Sequence, residues 1–210
     1  LRTPLTGIVG ATNVLLEQDG ELTAEQRQQL LRSTNEAAQW LIRIVENLLS
    51  ITRISAEEAK VRKLPEPAEE VIESAVAKTH KHYPEVDIRV HLPDELMMVP
   101  MDPLLIEQVL VNLMENAVIH GETTTAVRLS VTREGDDARF SVADNGQGIP
   151  KDVLPRLFDG TLKHNETTKG DGKRNMGLGL SVCRAIVRAH GGHLNARNLE
   201  QGAEFCFTLP

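Results

Sequence analysis

From Leu1 to about Ile54 the apolar positions recur at helical spacing. Leu5, Ile8, Val9, Thr12, Leu15 and Leu16 fall on one helical face, and Asp19-Gly20 then breaks the run. Thr23 offers a hydroxyl cap and Gln26 follows three residues later, a capping-box pattern that predicts a second helix from about Ala24 to Ile54. Its stripe of Leu30, Ala37, Leu41, Ile44, Val45, Leu48 and Ile51 lies close to heptad spacing. At 1.5 Å per residue such a helix is roughly 45 Å long. Two helices alone bury too little surface to stand unaided, so the hairpin is expected to pair with something, and a second copy of itself through residues 1–54 would give a four-helix bundle. Trp40 is expected to pack at the bundle margin.

Pro65 and Pro67 then mark a seam, because proline lacks an amide donor and favours extended chain. Beyond it the hydrophobic period alternates. It predicts helix over Ala68–His80, strand over Asp87–Leu92, helix over Pro103–His120 and strands over Ala126–Arg133 and Arg139–Asp144. The last two are parted by the turn Glu134-Gly135-Asp136-Asp137. A last helix is expected from about Leu180 to His190, then strands over His193–Asn198 and Glu204–Leu209. The expected class is α+β: a helical hairpin, residues 1–64, then a two-layer α/β sandwich, residues 65–210, whose mostly antiparallel sheet is covered by helices.

Composition narrows the function classes. Of 210 residues, 40% are apolar and only 3% aromatic, so aliphatic side chains must build the core. A net charge of −7 with interspersed signs argues against nucleic acid, whose binders carry a basic footprint. No apolar run approaches the roughly 20 residues that span a bilayer, so any membrane contact is expected through segments outside this sequence. Cys183 and Cys206 have neither metal-ligand spacing nor a disulfide framework, which suits buried thiols in a reducing cytoplasm.

Three segments carry candidate chemistry. In Asp144-Asn145-Gly146-Gln147-Gly148-Ile149-Pro150 a strand ends on a carboxylate and enters a glycine-rich turn. A buried carboxylate can accept from an exocyclic amine such as adenine N6 and would disfavour the carbonyl of guanine. Gly146 and Gly148 would let the backbone approach a flat ring, although Asp-Asn-Gly is also ordinary turn chemistry. Asn112 and Asn116 lie four apart on one helical face, where their amide oxygens could serve Mg²⁺ or could merely satisfy neighbouring groups. Asn175-Met176-Gly177-Leu178-Gly179-Leu180 leads into the last helix, whose free amides and dipole favour phosphate oxygens. Ahead of it a polar stretch with Lys163, Lys169, Lys173 and Arg174 reads either as a lid with cations for phosphates or as a solvated loop. His80 and His82 fall on different faces of a helix end, and His190-Gly191-Gly192 reads as a helix terminus with a left-handed glycine cap.

The ordered set NLMENA, DNGQGIP, LFDG and MGLGL resembles the N, G1, F and G2 boxes of sensor histidine kinases. LRTPLTGIVG, with ENLLSITRI closing the second helix, resembles the same family's dimerisation and phosphoacceptor hairpin. The resemblance implies a homodimeric hairpin followed by an ATP-binding sandwich of the GHKL type, the fold shared with gyrase, Hsp90 and MutL. Asp144 would then bind adenine in a pocket shaped by Gly146 and Gly148. Asn116 would ligate Mg²⁺ with support from Asn112. Gly177, Leu178 and Gly179 would flank the phosphates beside Lys173 and Arg174. Asn112 stands where the gyrase-like ATPases place a water-activating glutamate, and an amide cannot be that base, so phosphoryl transfer fits better than hydrolysis. The implied activity is a protein-histidine kinase that uses Mg-ATP and relays phosphate to the aspartate of a response-regulator receiver domain. A non-catalytic ATP-binding sensor module is the competing reading.

ENLLSITRI, MDPLLIEQVLVNLMENA and VCRAIVRAHGG most resemble the KdpD-type kinases of potassium limitation and turgor, which implies the cytoplasmic portion of an inner-membrane-anchored sensor. Three features depart from the family pattern. The family's acceptor histidine lies two positions before the leucine matched by Leu1, so the sequence as written is expected not to complete autophosphorylation. The second aromatic of the F box is missing after Phe158, and Asn175 replaces the first glycine of the G2 box. Thr3 matches the threonine that positions a water for dephosphorylating the regulator, and it could equally be a packing residue before Pro4.

Overall fold

The structure, a computed structural model, describes residues 2–17, 20, 22–55, 61–158 and 176–210, without the side chains of 48, 50–55 and 176–178. It divides into two compact units, Leu1–Leu49 and Ser50–Pro210.

The first unit holds α1 (Arg2–Glu17) and α2 (Ala24–Ser55), the last residues of α2 belonging to the second unit. The capping box forms as its sequence predicts: the Gln26 amide donates to Thr23 Oγ1 at 3.2 Å and the Thr23 amide to Gln26 Oε1 at 2.9 Å. Burial is slight. No residue of α1 is buried, and Ile44 is the only buried apolar side chain among the described residues of the hairpin. Leu5, Val9, Leu31, Val45 and Leu49 are each at least half exposed.

In the second unit β1 (Leu64–Pro67) and β3 (Met98–Met101) form an antiparallel ribbon. Helix α3 (Ala68–His82) follows β1, and β2 (Asp87–His91) precedes β3. Then come α4 (Pro103–His120), β4 (Ala126–Glu134), β5 (Asp137–Asp144), a short 3-10 turn at Leu154–Arg156, α5 (Met176–Ala189), β6 (His193–Asn198) and β7 (Ala203–Leu209). The five-stranded sheet has the order β2-β4-β5-β7-β6, with β2 parallel to β4 and the other pairs antiparallel.

Alternation along the strands settles which face is covered. Val127, Leu129 and Val131 of β4, Phe140 and Val142 of β5, and Phe205, Phe207 and Leu209 of β7 are buried. Against them pack Leu105, Ile106, Val109, Leu113 and Met114 of α4, with Ile72 of α3 and Ile186 of α5 in the same core. Phe140 and Phe207 stack across the β5–β7 pair with ring centroids 4.8 Å apart. The opposite face is polar: Glu204 accepts from Ser141 at 2.7 Å and also bonds Arg139 and Arg197.

Two differences from the sequence expectation have physical causes. The seam prolines lie inside β1, with Pro65 opposite Pro100 of β3. A two-stranded ribbon has free edges on both sides, so residues without an amide donor do not break a ladder there. Helix α5 begins at Met176 rather than near Leu180, so Gly177 and Gly179 belong to its first turn instead of preceding it.

Candidate nucleotide site

Helix α4 is fixed at both ends. Asp102 caps its start, Oδ1 accepting from the amides of Leu104 at 3.1 Å and Leu105 at 3.2 Å, and Pro103 occupies the first turn, where its missing donor costs nothing. At its end the Ala117 carbonyl accepts from the Gly121 amide at 3.1 Å and from Thr124 Oγ1 at 2.8 Å. Apolar residues of α4 face the sheet and leave Asn112 and Asn116 half-buried, one turn apart on another side. Asn112 bonds the sulfur of Cys183 on α5. Burial pushes that thiol up to about 12, so Cys183 is a packing residue rather than a nucleophile. Asn116 buries its Nδ2 without a hydrogen-bond partner among the described residues. A buried orphan amide is costly and fits a ligand: as placed it would donate to a phosphate oxygen, and turned over it would present Oδ1 to a cation.

Asp144 closes β5 and is 7% exposed. Its Oδ1 accepts from the Gly146 amide at 2.8 Å and the Ala203 amide at 3.3 Å, and Oδ2 takes no bond from another described residue. Burial raises the pKa of this carboxyl, the backbone amides of Gly146, Ala203 and Asp144 itself opposing the shift without cancelling it. Asn145 pins the end of β5 to the start of β4, its Oδ1 accepting from the Thr125 and Ala126 amides, each at 3.0 Å.

The glycines are required by close approach. A Cβ on Gly146 would lie 2.5 Å from Thr124 Oγ1 and 2.6 Å from the Gly121 carbonyl oxygen. Gly148 has φ +77°, and its Cβ would meet Asn198 Oδ1 at 3.0 Å. The Gln147 amide donates to the Gly121 carbonyl at 3.1 Å. The turn after β5 therefore lies directly on the C-terminal end of α4, on the segment that follows Asn116 and Ala117.

A third wall comes from the β6–β7 hairpin. Asn198, the last residue of β6, accepts from the Ile149 amide and donates to the Ile149 carbonyl, both at 2.7 Å. Gly202 has φ +82°, and a Cβ there would lie 2.0 Å from the Asp144 carbonyl oxygen. Thr124, Asn198 and Gly202 are not among the site candidates that the sequence offers. Gly202 carries a turn signal, but nothing local links it or Asn198 to residues some fifty positions earlier.

Helix α5 adds the phosphate-side candidates. Gly177, Leu178 and Gly179 occupy its first turn, where amides lack intrahelical partners and the dipole favours anions. A Cβ on Gly179 would meet nothing within 4 Å. Arg184 of α5 donates to the Phe158 carbonyl at 3.1 Å, tying the phenylalanine of the LFDG segment to this helix. Lys173 and Arg174 lie outside the described residues, as do Lys163, Lys169 and Asn175. Thr3 belongs to the other unit, exposed in the first turn of α1.

His190 joins the far ends of the site's two helices. It is fully buried, accepts the Asp102 amide on Nε2 at 3.0 Å, and faces the Ile186 carbonyl with Nδ1 at 2.8 Å, so Nδ1 carries the proton. Its carbonyl accepts from Lys63 Nζ at 2.6 Å. Burial lowers its pKa and keeps the ring neutral. Among the described residues no group of His, Cys, Asp and Glu could by itself hold a metal, and no helix is long and apolar enough to cross a membrane.

Residues 101–210 match the family of histidine kinase-, DNA gyrase B-, and HSP90-like ATPases, and residues 1–57 match the His Kinase A (phospho-acceptor) domain. A sensor protein KdpD of Clostridium acetobutylicum is 41% identical over 212 residues, covering 100% of this chain and 23% of its own length. Sensor protein KdpD of Escherichia coli is 35% identical over 218 residues, covering 100% of this chain and 23% of its own length. This sequence thus spans under a quarter of the length of these two relatives. Among solved structures, full-length ShkA in complex with AMPPNP superposes with TM-score 0.66 at 29% identity, covering 100% of this chain and 43% of that one.

Proposed function

Because the chain belongs to the histidine kinase-, DNA gyrase B- and HSP90-like ATPases and joins that fold to a His Kinase A hairpin, we propose that it is the Mg-ATP-dependent phosphoryl-transfer core of a two-component sensor. Asp144 carries this reading. Its buried carboxylate has one oxygen held by two backbone amides and the other left to accept from a base, beside glycines with no room for side chains.

In the proposed site Asp144 accepts from adenine N6, and the Gly146–Ile149 backbone lies against the ring. Asn116 holds Mg²⁺ or a phosphate oxygen, Asn112 supports it, and the first turn of α5 (Gly177, Leu178, Gly179) faces the phosphates with Lys173 and Arg174. Bound Mg²⁺ would neutralise charge on the β- and γ-phosphates. Asn112 offers no base to activate water, which favours transfer over hydrolysis. Functionally, residues 1–64 form the dimerising phosphotransfer hairpin, with Thr3 placed for dephosphorylation chemistry, and residues 65–210 form the catalytic part. The acceptor histidine is the one the family motif places two positions before Leu1. The partner is a response-regulator receiver domain, and the likeness to KdpD points to potassium or turgor signalling by an inner-membrane-anchored sensor whose cytoplasmic portion this is.

The test extends the sequence upstream through that histidine and supplies γ-labelled Mg-ATP. Label stable in base and labile in acid is expected. A folded dimer whose melting temperature rises with Mg-ATP but which takes up no label would be a non-catalytic sensor module instead. Steady phosphate release without label would mark an ATPase.

A further inference from the structure

The β6–β7 hairpin is the wall of this site to which neither the sequence motifs nor the family boxes assign a role. Asn198 faces the turn after β5 across 49 residues of sequence and bonds it twice, both contacts falling on the backbone of Ile149. An amide side chain that accepts from an N–H and donates to the C=O of one residue imitates a β-bridge, and it needs both the oxygen and the NH₂. The strand end that presents it is itself fixed: Asn198 pairs with Ala203, and the Leu199 amide donates to the Gly202 carbonyl at 3.0 Å. Ala203 in turn donates to Asp144 Oδ1, and Gly202 abuts the Asp144 backbone. One hairpin end thus holds both the carboxylate and the glycine turn, and Gly148, at φ +77°, has Asn198 Oδ1 3.0 Å from where its Cβ would be.

We propose that Asn198 is a positioning residue for the nucleotide base, setting the Gly146–Ile149 backbone at the distance from Asp144 that an adenine ring requires. The inference rests on the ATP-binding reading above. It acts at the base end alone, so its removal weakens ATP, ADP and adenosine by one common factor. In turnover of the chain extended through the acceptor histidine, it raises KM for ATP and leaves kcat unchanged, as loss of uniform binding does.

Titration calorimetry on the whole chain with Mg-ATP, ADP and adenosine tests this. Asn198→Asp keeps the acceptor for the Ile149 amide but sets a carboxylate oxygen against the Ile149 carbonyl. A loss of roughly three- to tenfold for all three ligands is expected, as for one or two partly exposed hydrogen bonds. Asn198→Ser, with one short hydroxyl, recovers part of that loss. Affinities within twofold of the parent chain in both variants overturn the proposal, as does a loss for ATP that adenosine does not share. Should both variants fail to fold, hydrogen exchange at the Ile149 amide of the parent chain decides: slower exchange on adding adenosine supports the assignment, and an unchanged rate overturns it. Failure of the parent chain to bind ATP at all would instead sink the nucleotide reading itself.

Discussion

Asp144 carries a conflict between stability and binding. Burial makes its ionised form costly, which is why its pKa rises, and the amides of Gly146 and Ala203 offset only part of that cost. A group whose folded pKa is raised contributes stability below its unfolded pKa and loses it as pH rises through the folded value. At neutral pH the unliganded fold therefore bears the cost of a desolvated charge that a base amine would relieve. Asp144→Asn keeps an oxygen for both backbone donors and removes the charge, so the unliganded melting temperature should hold or rise. Affinity for Mg-ATP should meanwhile fall about ten- to a hundredfold, the worth of a charge-assisted hydrogen bond. Parallel calorimetry and thermal melts check both halves, and an unchanged affinity would mean that the base contact is elsewhere. Asp144, Gly146 and Gly148 are legible in the sequence because a carboxylate and two glycines in one turn make a local pattern. Asn198 and Gly202 leave no such mark. Their roles exist only once β5, β7 and β6 pair, and an asparagine at a strand end looks the same whether it faces water or a loop.

At the scale of elements, the site depends on α4 and α5 being held at their far ends, and His190 provides that link through the Asp102 amide and the Ile186 carbonyl. Because burial depresses its folded pKa, the link contributes fully above the unfolded value of about 6.5 and is lost as pH falls toward the folded pKa. Over that window the unfolded chain binds a proton that the folded ring refuses. Thermal melts of the parent chain should therefore drop between about pH 7.5 and pH 5.5. His190→Gln should be less stable at the upper pH, by roughly 1–3 kcal/mol if a buried amide loses its partner, and should show a flatter pH dependence. Equal slopes for the two proteins would assign the acid sensitivity to other groups. The same helices mark where periodicity is a good guide. The bounds of α4 follow directly from its Asp-Pro start and apolar run, whereas α5 begins a turn early because glycines weaken the pattern without preventing the helix. The β1–β3 ribbon is hidden by its prolines, which read as linker until an edge position makes them harmless.

For the molecule as a whole, the hairpin is the part that a single chain leaves unfinished. In α1 no side chain is buried, and Leu5, Val9, Leu31, Val45 and Leu49 stay at least half exposed. That is more apolar surface than a two-helix element normally shows to water, and a second copy with the same stripe would cover it by symmetry. Burying such side chains yields about 1.5–3 kcal/mol each, and in a two-fold bundle every position counts in both copies. Val45 and Leu49 are four apart and share one helical face, so Val45→Glu with Leu49→Glu would set carboxylates into that seam. Sedimentation equilibrium should find a dimer for the parent chain and a monomer for the double variant. Affinity for Mg-ATP should stay within about twofold, since the residues proposed to bind nucleotide all lie in the unit Ser50–Pro210 and each contributes locally. In the chain extended upstream through the acceptor histidine, trapping the phosphorylated hairpin separates the two properties further, because a monomer that binds ATP normally loses the transfer step if phosphate passes between chains. A parent chain that sediments as a monomer would leave the apolar stripe without the partner assigned to it. A double variant that loses nucleotide affinity along with its dimer would show that the two units do not act independently.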